Sequence, residues 1–454
     1  MEQNTLIDNV GSWIKNSVTL KLITITILML LLLIPNSMVD SIIVERESLS
    51  AQTNTEVSSK WAGSQQINGP ILTIPVVYEY EDEIKEKKTL IRHTQYYHLL
   101  PQNLKIDGEV KPLKLKRGIY EVIVYKSNLS LSGNFNMVQL DADRKIDHTN
   151  LKEIKYDQAF LTIGISDLRG IKDELTVNWN GQKLEAKPGT LLSSMVPTGV
   201  TIELPSIEDN LESVIHFDFD LALQGSKDVS FVPLGNTTEV ALRSNWSSPS
   251  FNGNFLPDSR EVSETGFIAK WKILQLNRNI PQTWTGLTQR QNMSEATFGV
   301  TLMSSVDDYK KSVRSSKYAV MTIALTFLIF FLVEILNKRK IHPFQYALVG
   351  LALCLFYVLL VSISEQVNFN FAYGISSFTI ITMISLYALS VFKSKRLTLV
   401  LVGTLLGIYG FLFVTLQLVD YALLIGSLGL VLILGLTMYF TRNINWYKLH
   451  TATE

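Results

Sequence analysis

The chain has 454 residues, with 41 basic and 41 acidic side chains, one cysteine and a 47% hydrophobic share. Zero net charge gives no basis for a nucleic-acid partner, and one cysteine excludes a disulfide framework and a Cys-rich metal site. The averages conceal two materials, because the apolar residues concentrate in long uncharged runs near the two chain ends, while residues 40–317 have ordinary soluble composition.

In chain order, Leu6, Val10, Trp13 and Ile14 fall on one helical face, which fits either an interfacial helix or a plain tail. Leu22–Val39 is the first apolar run, and it is longer than a signal-peptide core and lacks a clean small-residue cleavage site, so a retained anchor is expected. Residues 40–62 read as its helical extension, with Ile43, Glu47, Ser50 and Val57 as a patchy stripe. At "GPILTIPVVYEY" the hydrophobic period changes to two, and Gly69-Pro70 is expected to mark the break.

Strand patterns then dominate. Alternation is clearest from His216 to Leu223, where Phe217, Phe219, Leu221 and Leu223 share a face. Asn180-Gly181 predicts a two-residue hairpin turn with both residues at positive φ. Many short strands predict a β-sandwich, either one or two stacked. "LSGNF" at 131–135 and "FNGNF" at 251–255 suggest a weak internal duplication.

Further apolar runs follow at Tyr318–Leu336, Gln345–Ser364, Ala372–Phe392, Leu397–Leu418 and Tyr421–Phe440. The 20 residues from Gln345 to Ser364 span ~30 Å as a helix, the thickness of a bilayer's hydrocarbon core. The expected fold class is therefore a membrane α-helical bundle of six transmembrane helices plus a large all-β, sandwich-like extracytoplasmic domain. The expected parts are 1–39 (cytoplasmic N-terminus and first helix), 40–317 (β-rich domain with a helical connector) and 318–454 (five-helix bundle with a cytoplasmic C-terminus). Lys15 and Lys21, Lys338 to Lys340, Lys393, Lys395 and Arg396, and Arg442 and Lys448 put both termini inside by the positive-inside rule. Lys310, Lys311, Arg314 and Lys317 dissent, beside a long domain that the rule does not govern.

The ordered segments "LIPNSMVDSIIVERE", "GPILTIPV", "RGIYEVIVYKSNLSLSGNF", "ISDLRGI", "FVPLGNTTEVALRSNWSSPSFNGNFLP", "GFIAKWKILQLNRNIPQ" and "RSSKYAVMTIALTFLIFFLVE" resemble the CreD family along nearly the whole chain. The resemblance implies a bacterial inner-membrane protein tied to envelope integrity and envelope stress, with no known reaction. The family's usual "SLSEH" is here "SISEQ", with Gln366 after Glu365, so a titrating histidine beside that glutamate is not carried over.

No nucleophile elbow, zinc-protease helix or P-loop pattern is present, so no enzyme activity and no cofactor is expected. His93 and His98 lie an odd number apart on a strand and point to opposite faces, which disfavours a metal pair, and His216 reads as solvated. Trp246 and Phe251 fit either a sugar-binding loop or aromatic plugs into the core. Arg117 and Arg278 are each expected to pair with a carboxylate and lock a strand end or turn, and Glu334 with Lys338 four residues on.

The candidate functional cluster is polar and sits at one helix end level: Ser362, Ser364 and Glu365, with Gln417, Asp420 and Tyr373. It either meets water as ordinary helix ends do, or couples the bundle to the outer domain or a ligand. Two functions stay open. One is a non-enzymatic integrity factor whose β-domain binds an envelope protein, lipid or glycan. The other is a subunit of a transporter for a lipid or envelope-active compound. The bilayer is a partner in both, and Gly403-x-x-x-Gly407 permits close helix packing within the chain or in a homo-oligomer.

Overall fold

The computed structural model describes residues 18–84, 87–138, 150–302, 307–337, 341–418 and 421–442. The chain divides into two compact units, one of Met1–Ala51 with Ser305–Glu454, the other Gln52–Ser304. The N-terminal face of Leu6, Val10, Trp13 and Ile14 lies outside the described residues.

Helix α1 (Val18–Trp61) joins the first apolar run and its extension in one element, with Pro35 inside it. The strand onset differs from expectation. The helix stops at Trp61 and strand β1 (Gln65–Ile84) already begins before Gly69-Pro70. That dipeptide sits inside β1, where pairing with β6 (Phe160–Ile165) shifts register between Asn68 and Ile71. Proline has no N–H for the ladder, and Gly69 has φ +110°, with Thr162 O 2.7 Å from where a Cβ would stand. The two residues mark an irregularity within a strand and not an element boundary.

The 52–304 unit holds two sheets. The ten-stranded sheet runs β14 (Pro249–Gly253), β18 (Phe298–Leu302), β12 (Asp228–Phe231), β1, β6, β10 (Gly199–Glu203), β9 (Lys187–Pro188). β2 (Lys87–Leu99) and β5 (Leu151–Ile154) pair with β1, and β17 (Thr283–Thr285) with β2. The eight-stranded sheet runs β15 (Ser259–Ser263), β16 (Gly266–Leu274), β13 (Thr237–Ser244), β3 (Asn103–Arg117), β4 (Tyr120–Asn136), β11 (Val214–Ser226), β7 (Thr176–Trp179), β8 (Gln182–Glu185). A short helix α2 (Arg290–Glu295) precedes β18.

One hydrophobic cluster takes side chains from both sheets: Ile71, Leu161 and Phe298 from the first, Leu131, Phe217 and Trp271 from the second. Along β11 the alternation read from sequence is realised, with Ile215, Phe217, Phe219 and Leu221 buried between exposed or half-exposed neighbours, and from Leu223 on the strand is buried on both faces. Burying each such side chain stabilises by roughly 2 kcal/mol before entropy is counted. Asn180 (φ 51°) and Gly181 (φ 90°) form the turn between β7 and β8. The suggested duplication has no counterpart in the fold: 131–135 lies in the inner strand β4 of one sheet, whereas 251–253 lies in the edge strand β14 of the other. Trp246, Phe251 and Phe255 pack on the core, Phe251 edge-on to Phe267 and Trp271, so they are plugs.

The other unit contains α3 (Asp307–Lys317), α4 (Ala319–Leu336), α5 (Pro343–Ser364), α6 (Phe369–Phe392), α7 (Lys395–Gln417) and α8 (Ala422–Thr441). Among the described residues four helices are long and apolar enough to cross a membrane, within α1 and in α5, α6 and α7. The pair α3–α4, bent by 42°, makes a fifth if it is one span, and Leu424–Tyr439 in α8 is a shorter apolar helix. Leu32, Asn36, Val39 and Ile43 of α1 are buried at helical spacing, and the three apolar ones join a cluster with α4, α5, α6 and α7.

Candidate functional site

The sequence-selected cluster is dispersed in part. Glu365 caps the C-terminus of α5, and its Oε1 lies 3.7 Å from Arg46 Nε of α1. Gln417 Nε2 donates to Asn370 Oδ1 at 2.6 Å, tying the end of α7 to the start of α6. Ser364 Oγ donates to its own helix at Val361 O, and Ser362 is exposed, so neither hydroxyl is seen to join these contacts. Tyr373 is buried among aromatic rings and donates to Tyr409 O at 2.7 Å, inside the helical core. Asp420 lies outside the described residues.

Two of the basic residues that dissent from the charge rule, Arg314 and Lys311, serve this same layer. Arg314 donates to Leu416 O in the last turn of α7, where a cation meets unpaired carbonyls and the negative end of the helix dipole. Lys311 sits 5.7 Å over the Phe369 ring at the first turn of α6. Arg46 is not singled out from sequence, and Arg314 only as a dissenting charge, since charges near helix ends look alike until the helix packing is known.

A second polar centre lies at the other end of α1. Glu334 of α4, with its side chain 2% exposed, accepts from Lys21 Nζ at 2.6 Å, the Ile341 N–H at 3.1 Å and Tyr346 OH at 3.0 Å. The expected partner, Lys338, lies outside the described residues, and the cation that Glu334 meets comes from α1. A carboxylate so buried is tolerated because all three donors converge on it.

In the 52–304 unit the two singled-out arginines differ. Arg117 pairs with Glu56 at 2.7 Å as expected. Arg278 has no carboxylate partner among the described residues. It is buried and donates to the carbonyls of Ile280 (2.6 Å), Leu234 (2.9 Å) and Gly235 (3.2 Å) and to Gln282 Oε1. It locks turns as foreseen, but through backbone oxygens, and burial pushes its pKa down to about 10.

His93 is exposed and His98 buried on β2. His98 Nδ1 lies 3.0 Å from Thr73 Oγ1 and its ring packs on Trp284, and burial pushes its pKa down to about 4 against a hydrogen bond with the Gly286 backbone. Among the described residues no group of His, Cys, Asp and Glu could hold a metal ion.

The "ISDLRGI" segment fastens the end of α1 to the β unit. Asp167 accepts from the Arg169 guanidinium and from the Gly63 N–H, which together hold its carboxyl at a pKa of about 2, and Arg169 donates to Ser59 O near the helix terminus. Buried Gln65 donates to Asp167 O and Gln224 O, and Gln224 donates to Trp61 O.

An extensive two-sheet unit set in the chain between apolar helices defines a membrane-embedded protein with a large β body. The family model for "Inner membrane protein CreD" matches residues 17–447. The chain is 35% identical over 419 residues to Inner membrane protein CreD of Escherichia coli (strain K12), covering 92% of this chain and 91% of that protein. The chain belongs to the CreD family of inner-membrane proteins.

Proposed function

We propose that the protein is a non-enzymatic factor supporting envelope integrity and envelope-stress tolerance, with its β unit contacting an envelope protein, lipid or glycan in the periplasm. In this reading it has six spans, both termini are cytoplasmic, and 40–317 forms one sandwich-like periplasmic domain with a helical connector. The observation that carries the reading is the order of the units: the 52–304 body is inserted between α1 and the remaining apolar helices. One crossing by α1 moves that body to the side opposite the N-terminus, and the basic loop residues choose which side that is. The shared core of the two sheets supports a sandwich, and family membership supports the inner membrane.

Two measurements test this. With Cys354→Ala as background, Lys183→Cys in β8 should react with an impermeant maleimide on spheroplasts, and Lys395→Cys at the start of α7 should not. The reverse pattern refutes the topology. A deletion strain should become more sensitive to envelope-active agents, and unchanged sensitivity refutes the role.

A further inference from the structure

Beside Glu334 a cavity of about 540 Å³ opens among Leu20, Lys21, Thr24, Ile25 and Leu28 of α1 and His342 ahead of α5. Its polar end offers donors. Lys21 uses one ammonium proton on Glu334 Oε1, leaving two. His342 Nδ1 accepts the Phe344 N–H at 3.2 Å as the cap of α5, so in the neutral ring the proton is on Nε2, and that nitrogen is a donor. Glu334 also lines the cavity, but its side chain is 2% exposed and its two oxygens already accept from Lys21, the Ile341 N–H and Tyr346. The opposite wall is hydrocarbon, and Ile23 and Ile27 beside it, each 51% exposed, give α1 an apolar outer face.

We propose that this cavity holds an anionic glycerophospholipid, its phosphate on Lys21 and His342 and one acyl chain along Leu20, Ile25 and Leu28. Donors at one end demand an acceptor-rich group, and the apolar wall demands a chain attached to it. The proposal goes beyond the periplasmic role and rests only on the bundle lying in a membrane.

The test is native mass spectrometry of the full-length chain released from nanodiscs of equal phosphatidylglycerol and phosphatidylcholine. Phosphatidylglycerol should be retained about ten-fold over phosphatidylcholine, which has the same phosphate but carries a choline cation that would sit beside Lys21. His342→Asp keeps an N-cap acceptor but sets a negative charge at the cavity, and should abolish the preference without moving the melting temperature. The double variant K21M/E334L, which leaves no unpaired buried charge, should abolish it too. Glycerol 3-phosphate, which has the phosphate without chains, should not displace the lipid. Equal retention of the two lipids, a preference that survives both variants, or displacement by glycerol 3-phosphate would each overturn the proposal.

Discussion

Lys21 and Glu334 meet at 2.6 Å although 313 positions separate them in sequence. The contact brings the start of α1 to the end of α4, and Arg46 with Glu365 does the same for α1 and α5 at the far level. Twenty-five residues of helix separate the two cations of α1, about 37 Å of rise, somewhat more than a hydrocarbon core. The helix is thus fixed to its unit by one ion pair near each edge of the span.

Glu334→Leu alone should strand a half-buried ammonium, and Lys21→Met alone a buried carboxylate. Each single variant should lose about 3 kcal/mol, the low end for breaking a buried pair because Lys21 is 30% exposed. The double variant should recover only part of the loss, because the apolar pair leaves no unpaired charge but the buried Ile341 N–H and Tyr346 OH lose their acceptor. Thermal unfolding of the detergent-solubilised chain measures this, and additive losses would show that the two residues do not act as a pair.

The Arg46–Glu365 pair should behave differently. At 3.7 Å with Arg46 43% exposed, the coupling in a double-mutant cycle should be about 0.5 kcal/mol. Glu365→Gln should therefore leave membrane abundance and stability nearly unchanged. Any loss of stress tolerance in that variant at matched abundance would then report a role other than holding the fold.

Arg278→Ala should be among the most damaging substitutions in the β unit. It leaves the carbonyls of Leu234, Gly235 and Ile280 without their donor in a buried site, a loss of about 3 kcal/mol or more. Arg278→Lys should recover only part, because an ammonium cannot reach the acceptors that the planar fork spans. Equal melting temperatures for Arg278→Lys and the parent chain would refute that geometric account.

His98 makes stability depend on pH. Its folded pKa of about 4 lies below the ordinary value of 6.5, so between those values the unfolded chain binds the proton that the folded chain refuses. The contribution is whole above pH 6.5 and falls as pH drops toward 4, by roughly 3 kcal/mol in all. His98→Asn should flatten the melting-temperature profile across that window. A profile as steep as that of the parent would assign the acid sensitivity to other groups.

Local pattern was enough wherever one element decided the outcome. The period of two in β11, the positive-φ pair at Asn180-Gly181 and the long apolar helices were legible because each depends on a few neighbouring residues. What escaped depends on which segments meet. Along the chain the nearest cation to Glu334 is Lys338, which lies outside the described residues, and the cation observed on Glu334 comes from a helix hundreds of residues earlier. Ser364 and Tyr373 share a helix-end neighbourhood with Glu365 in sequence, yet one bonds its own backbone and the other enters the aromatic core. Gly69-Pro70 reads as a terminus because turn residues punctuate sequence, and only the pairing of β1 with β6 shows that the strand runs through it.

The spacing of Lys21, Leu32, Asn36, Val39, Ile43 and Arg46 carries a last consequence. At about 100° per residue all six point within roughly 80° of one another, and the two cations return to the same side after almost seven whole turns. A single inserted residue between them would swing everything downstream by about 100° and slide it ~1.5 Å. Restoring the angle with seven residues would still overshoot by ~10 Å. This rod can therefore be repainted residue by residue, but its length between positions 21 and 46 is locked like the pitch of a key.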